Sequence, residues 1–122
     1  MKWHFSNSAP IYAQLIEQIK MAIVSGEFPA GQRLPSVREL AAETGVNPNT
    51  MQRALAELER DGLVHSQRTA GRFVTEDDTA IRAAKRTLAR RHLESFLSAM
   101  AGLGYEKEEL TDLLRQELEK EE

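Results

Sequence analysis

Two helix-start signals stand close together in this chain, at Ser36 and at Asn47, with Gly45 just ahead of the second. Ser36 followed by Glu39 is a capping box. The hydroxyl can accept the Glu39 N–H, and the carboxylate can reach back to the Ser36 N–H. Asn47 is a good N-cap and Pro48 a good first helical residue, since its missing N–H would be unpaired there anyway. Gly45 supplies a positive φ at no steric cost, which a tight exit from a helix needs. The helix begun at Ser36 is therefore short. The chain is committed to helix, tight turn, helix. Val46 and Met51 fall at the N′ and N4 positions of a hydrophobic staple, which fixes how the second helix is entered.

The flanking pattern completes an architecture. Ile11, Leu15, Ile16, Ile19, Ala22 and Ile23 recur at helical spacing after Pro10, which suits a first-turn position. Ser25-Gly26 ends this helix, and the run from Gly26 to Gly31, with Pro29, is a loop. In the helix that starts at Pro48, Met51, Ala54, Leu55 and Leu58 share one face. Asn49, Arg53, Ala56 and Arg60 point the other way, with Gln52 on the flank. Asp61-Gly62 closes it. The period then changes to short β-prone runs, Leu63–Gln67 and Arg72–Thr75. Arg68-Thr69-Ala70-Gly71 forms the turn, with Gly71 its positive-φ residue. Helical pattern resumes from Asp77 to about Ala101, breaks at Gly102-Leu103-Gly104 and returns from about Glu106. The expected fold is mainly α with a small β-hairpin. Residues 1–76 form a winged helix-turn-helix and residues 77–122 a two-helix dimerisation tail. Leu93, Phe96, Leu97 and Met100 face one way on the first tail helix, and Leu110, Leu113, Leu114 and Leu118 line the second. Two short helices cannot bury both stripes alone, and a twofold homodimer is the commonest solution.

Composition removes other classes. The 122 residues contain no cysteine, which excludes a disulfide framework, a thiol nucleophile and thiolate zinc sites. No apolar run approaches the ~20 residues of a membrane-spanning helix, and Met1–Ser6 does not read as a secretory signal. A cytoplasmic protein is expected, with no membrane partner. His4, His65 and His92 lie on different elements and form no recognisable metal or catalytic set. Neither a metal nor another cofactor is expected, and Trp3, Phe5 and Tyr12 are expected to pack the N-terminus onto the domain. Residues 1–75 carry eight Lys/Arg against seven Asp/Glu, and residues 76–122 carry eight against twelve. That balance argues against coating nucleic acid by bulk charge, but a sequence-specific reader needs only a few well-placed cations.

The third helix supplies such a set. A B-form major groove is ~12 Å wide and admits one helix. Asn49, Gln52 and Arg53 can hydrogen-bond base edges or phosphates. Arg53 can alternatively pair with Glu57 at i,i+4. Arg68 and Arg72 flank the hairpin turn, where they can approach the backbone or minor groove. Arg82, Lys85, Arg86, Arg90 and Arg91 form a basic run beyond the wing, read first as a solvated helix face or as pairing with the acidic final helix across a dimer, with an approach of Arg82, Arg86 and Arg90 to flanking phosphates as the alternative.

Residues 10–75 resemble the DNA-binding domain of the GntR family of bacterial transcription regulators. The resemblance is carried by Pro10-Ile11-Tyr12 with Leu15, by the run Gly31–Ala41, by Gly45–Thr50, by Arg53-Ala54-Leu55 with Leu58, by Asp61–Val64 and by Gly71–Val74. The short two-helix tail is similar to the YtrA branch, whose tail mediates dimerisation. The resemblance implies that Arg38 contacts the operator and that Ser36 lies near a phosphate. It also implies that Asn47, Asn49, Thr50 and Gln52 face the operator and that Gly71 is the wing-tip glycine. Pro48 and Gln52 stand where some relatives have arginine, so the base preference does not carry over. The resulting expectation is a homodimeric repressor on an inverted-repeat operator of double-stranded DNA. Transporter genes are targets by resemblance alone, and no effector is indicated. The rival readings are a winged-helix module that binds protein and, far behind it, a small enzyme.

Overall fold

The computed structural model describes residues 1–121. The chain divides into two compact units, Met1–Arg86 and Thr87–Glu122. The elements in order are α1 (Ile11–Val24), α2 (Val37–Thr44), α3 (Pro48–Arg60), β1 (Val64–Gln67), β2 (Gly71–Val74), α4 (Asp78–Gly102) and α5 (Lys107–Lys120).

The capping box at Ser36 forms as its sequence demands. Glu39 N–H donates to Ser36 Oγ at 3.1 Å, and Ser36 N–H donates to Glu39 Oε1 at 3.0 Å. Gly45 ends α2 with φ 74°, and its N–H donates to the Ala41 carbonyl. Asn47 caps α3 by accepting the Asn49 N–H at 2.7 Å, with Pro48 in the first turn. Pro10 differs from the expectation. Its ψ of 140° makes it the residue before α1 rather than part of the first turn.

The core of the first unit gathers Leu15, Ile19 and Ile23 of α1, Leu40 of α2, and Met51, Ala54, Leu55 and Leu58 of α3. Leu34, Leu63, Val64 and Val74 complete it. Burying one such large side chain stabilises the fold by roughly 1.5–3 kcal/mol. Ile11, counted in the apolar stripe of α1, is instead exposed. Val46 packs against the core from the turn, as the staple requires, and Ile81 and Ala84 of α4 pack against it too. Trp3, Phe5 and Tyr12 also lie on the core. The lead is tied down by two glutamines one turn apart on α1. Gln18 accepts from His4 N–H and donates to the His4 carbonyl, and Gln14 does the same for Ser6.

The wing is antiparallel, pairing Val64 with Val74, His65 with Phe73, Ser66 with Arg72 and Gln67 with Gly71. The segment Gly31–Leu34 pairs with the outer edge of β2. Leu34 N–H donates to the Arg72 carbonyl at 2.8 Å, Val74 N–H to the Gln32 carbonyl at 2.9 Å and Gly31 N–H to the Val74 carbonyl at 3.0 Å. This pairing fastens the wing to the chain entering α2.

In the second unit α4 ends at Gly102, Gly104 takes φ 93°, and α5 starts behind a capping box of Glu106 and Glu109. α5 buries none of its residues. Leu93, Phe96, Leu97, Leu114 and Leu118 are exposed, and Met100, Leu110 and Leu113 are half-buried.

Candidate nucleic-acid interface

The turn between α2 and α3 sets the first group of candidate residues. Arg38 lies in the first turn of α2, exposed and without a hydrogen-bond or ion-pair partner among the described residues. Asn49 is exposed in the first turn of α3, and its side-chain amide equally has no partner among the described residues. Asn47 and Ser36 both spend a side-chain oxygen on helix capping. Each keeps donors, the Asn47 NH2 and the Ser36 hydroxyl hydrogen, that the cap does not use. Thr50 is half-buried, so less of it is accessible than of its neighbours. The Glu39 carboxyl is held below the usual carboxylate range, first by the backbone N–H of Ser36, then by its hydroxyl, with the Arg33 charge adding to the effect. An ionised Glu39 keeps the cap closed and thereby fixes the start of α2.

Arg53 does not pair with Glu57. Its guanidinium lies over the Tyr12 ring, 4.6 Å from the centroid, and Arg60 takes Glu57 instead. The ring restrains Arg53 on the exposed side of α3 while leaving its N–H groups as donors.

In the wing, Arg68 sits in the exposed turn with no partner among the described residues. Arg72 is placed differently from the expectation of a free wing cation. Its Nε donates to Glu59 Oε1 at 2.5 Å, and its Nη1 lies 3.4 Å from Gln52 Oε1. Ser66 Oγ donates to the same Glu59 oxygen at 2.6 Å. The Ser66 hydroxyl, then Arg72, hold the Glu59 carboxyl below its ordinary range. The wing is thus pinned to α3 by a charge-assisted cluster.

Gly71 has φ 105°, and a Cβ there would stand 3.0 Å from Arg33 Nε. Glycine is needed for the left-handed backbone, whereas the Arg33 guanidinium, the end of a long exposed side chain, can shift aside. Arg33 is the cation that sequence reasoning missed. It is exposed beside the wing tip, brought there by the pairing of Arg33 with Phe73. No local signal marks it, since the pairing joins segments far apart in sequence. Among the described residues no group of three His, Asp or Glu could hold a metal, and no helix is long and apolar enough to cross a membrane.

Residues 11–74 match the family described as bacterial regulatory proteins, gntR family. That stretch is more than half of the chain. The chain belongs to the GntR family. Two relatives from Bacillus subtilis strain 168 extend the likeness through the tail. The HTH-type transcriptional repressor YtrA is 35% identical over 111 residues, covering 90% of this chain and 85% of the relative. The uncharacterised HTH-type transcriptional regulator YhcF is 44% identical over 108 residues, covering 88% and 89%. A solved GntR family transcriptional regulator from Listeria monocytogenes superposes with a TM-score of 0.84 at 40% identity, covering 92% of this chain and 98% of that one. The AraR DNA-binding domain, solved in complex with the operator ORX1, is 32% identical with a TM-score of 0.53 and covers 62% of this chain and 92% of that one. This GntR chain is accordingly YtrA-like, and its family is one of DNA-binding transcription regulators rather than enzymes.

Proposed function

We propose that this GntR chain is a homodimeric repressor that reads an inverted-repeat operator in double-stranded DNA. One observation carries the reading. The exposed side chains at the starts of α2 and α3 and at the wing tip, those of Arg38, Asn49 and Arg68, have no intramolecular partner among the described residues. Arg38 and Arg68 suit phosphates, and Asn49 and Gln52 suit base edges. Asn47, Thr50, Arg53, Gly71 and Ser36 complete the contact surface. Arg72 serves it from behind through Gln52. The exposed leucines of α4 and α5 supply the dimer contact, and the two α3 helices of the dimer meet successive major grooves ~34 Å apart. Transporter genes are the proposed targets, and no small-molecule effector is assigned.

The experiment is selection of binding sites from a pool of random duplexes by the full-length protein at 0.15 M salt. The expected product is an inverted repeat with half-site centres about 10 bp apart. A pool that stays random after selection overturns the proposal.

A further inference from the structure

The link between wing and reading helix has a consequence for what the helix can read. A guanidinium carries only donors, so the amide atom of Gln52 that faces Arg72 Nη1 at 3.4 Å has to be the oxygen. Arg72 cannot swing away freely, because its Nε is held by Glu59 Oε1, which Ser66 Oγ also holds. Glu59 is half-buried on α3, and its depressed pKa keeps it ionised. With its oxygen engaged, the exposed Gln52 side chain presents its NH2 to the outside. A free glutamine can turn either end to a base and bind acceptors and donors alike. An oriented one presents its NH2 first, because turning its oxygen to a base gives up the Arg72 bond.

We propose that Glu59 and Arg72 are positioning residues that bias Gln52 towards hydrogen-bond donation, so that it favours a base presenting an acceptor in the major groove. Guanine O6 and N7, adenine N7 and thymine O4 qualify, and cytosine, which offers only its N4 amino group there, is disfavoured. The inference rests on the DNA-reading proposal above. It goes beyond it by stating the chemistry that one residue reads and the residues that impose it. The wing thereby takes part in specificity through the protein as well as by any contact of its own.

The test is competition binding of the full-length protein against every single base-pair substitution of its selected operator. Gln52→Ala locates the base pair in each half-site that Gln52 reads. The wild type is expected to prefer an acceptor there over cytosine by roughly 3- to 10-fold, the worth of one hydrogen bond. Glu59→Gln and Arg72→Met should flatten that one position and leave the others unchanged. Gln52→Glu, which keeps an oxygen towards Arg72 and removes both donors, should reject the acceptor base. It covers the case in which the other variants fold poorly. Arg72→Lys, which cannot hold Glu59 and Gln52 together in a fork, should not restore the preference. Sequence-selective wild-type binding with an unchanged base panel in Glu59→Gln and Arg72→Met overturns this inference alone. So does an even loss of affinity across all sequences, which would mark a purely structural role. Absence of any selective binding by the wild type overturns the DNA-reading proposal instead.

Discussion

Two helices of this chain carry the same kind of apolar stripe and meet different fates. In α3, Met51, Ala54, Leu55 and Leu58 are at most 1% exposed, closed over by α1, α2 and the wing. In α5, the stripe of Leu110, Leu113, Leu114 and Leu118 leaves Leu118 59% exposed and buries nothing fully. Amphipathic periodicity therefore says that a face must be covered and not by what. The first unit finds the cover within its own chain. The second presents a surface for which a second copy is the proposed cover.

That contrast can be broken at several points. The largest effect is expected in the closed region. Leu58→Ala empties a fully enclosed site and should cost about 2–5 kcal/mol in chemical denaturation. A loss below 1 kcal/mol would mean that the core is less tightly packed than described. Next comes the open region. Leu97→Asp with Leu114→Asp should leave helix content unchanged by circular dichroism yet convert a dimer to monomer in sedimentation. Operator affinity should then fall by about a hundredfold, because the two reading units lose their shared effective concentration. Retention of the dimer would refute the assignment of this surface.

A smaller effect is expected at the start of α2. Ser36→Ala removes the acceptor of the Glu39 N–H and should lower stability by about 1 kcal/mol. Thermal melting of the two proteins side by side checks this, and equal melting temperatures would contradict it. The smallest effect is pH-dependent. Ser66 and Arg72 depress the Glu59 pKa in the folded state, so the folded protein favours the ionised form. That stabilisation is complete above the unfolded carboxylate value of about 4.3 and drains away as pH falls through the lower folded value. Glu59→Gln should therefore lose less stability than the wild type between about pH 5 and pH 3. Parallel melting curves over that range would remove Glu59 from the account.

The features legible in the sequence are those whose causes lie within a few residues. The Ser36 box, the Gly45 exit and the Asn47-Pro48 start each depend on local hydrogen bonds or local sterics, and the structure has them as read. The α3 stripe was legible because helical period and burial coincide there. What escaped depends on partners distant in sequence. Arg33 reaches the wing tip through backbone pairing with Phe73, which leaves no side-chain period. Arg53 meets Tyr12 and Arg72 meets Glu59 only after the helices have packed. The alternative pairing of Arg53 with Glu57 rests on the i,i+4 rule of a single helix, and Arg60, three residues from Glu57, takes that carboxylate. Candidate site residues were thus identifiable by type and exposure, while their couplings required the fold.

The central claim is that the unpartnered groups of α2, α3 and the wing read a DNA sequence. It is tested most directly by fluorescence anisotropy of the full-length protein on the DNA upstream of its own gene and on a scrambled duplex, across a salt series, with Arg38→Glu alongside. The account predicts tighter binding to the native sequence. It also predicts a fall in log affinity with log salt of about 0.9 per phosphate contacted, shallower and much weaker for Arg38→Glu. Equal binding of both duplexes, unchanged by Arg38→Glu, would contradict it.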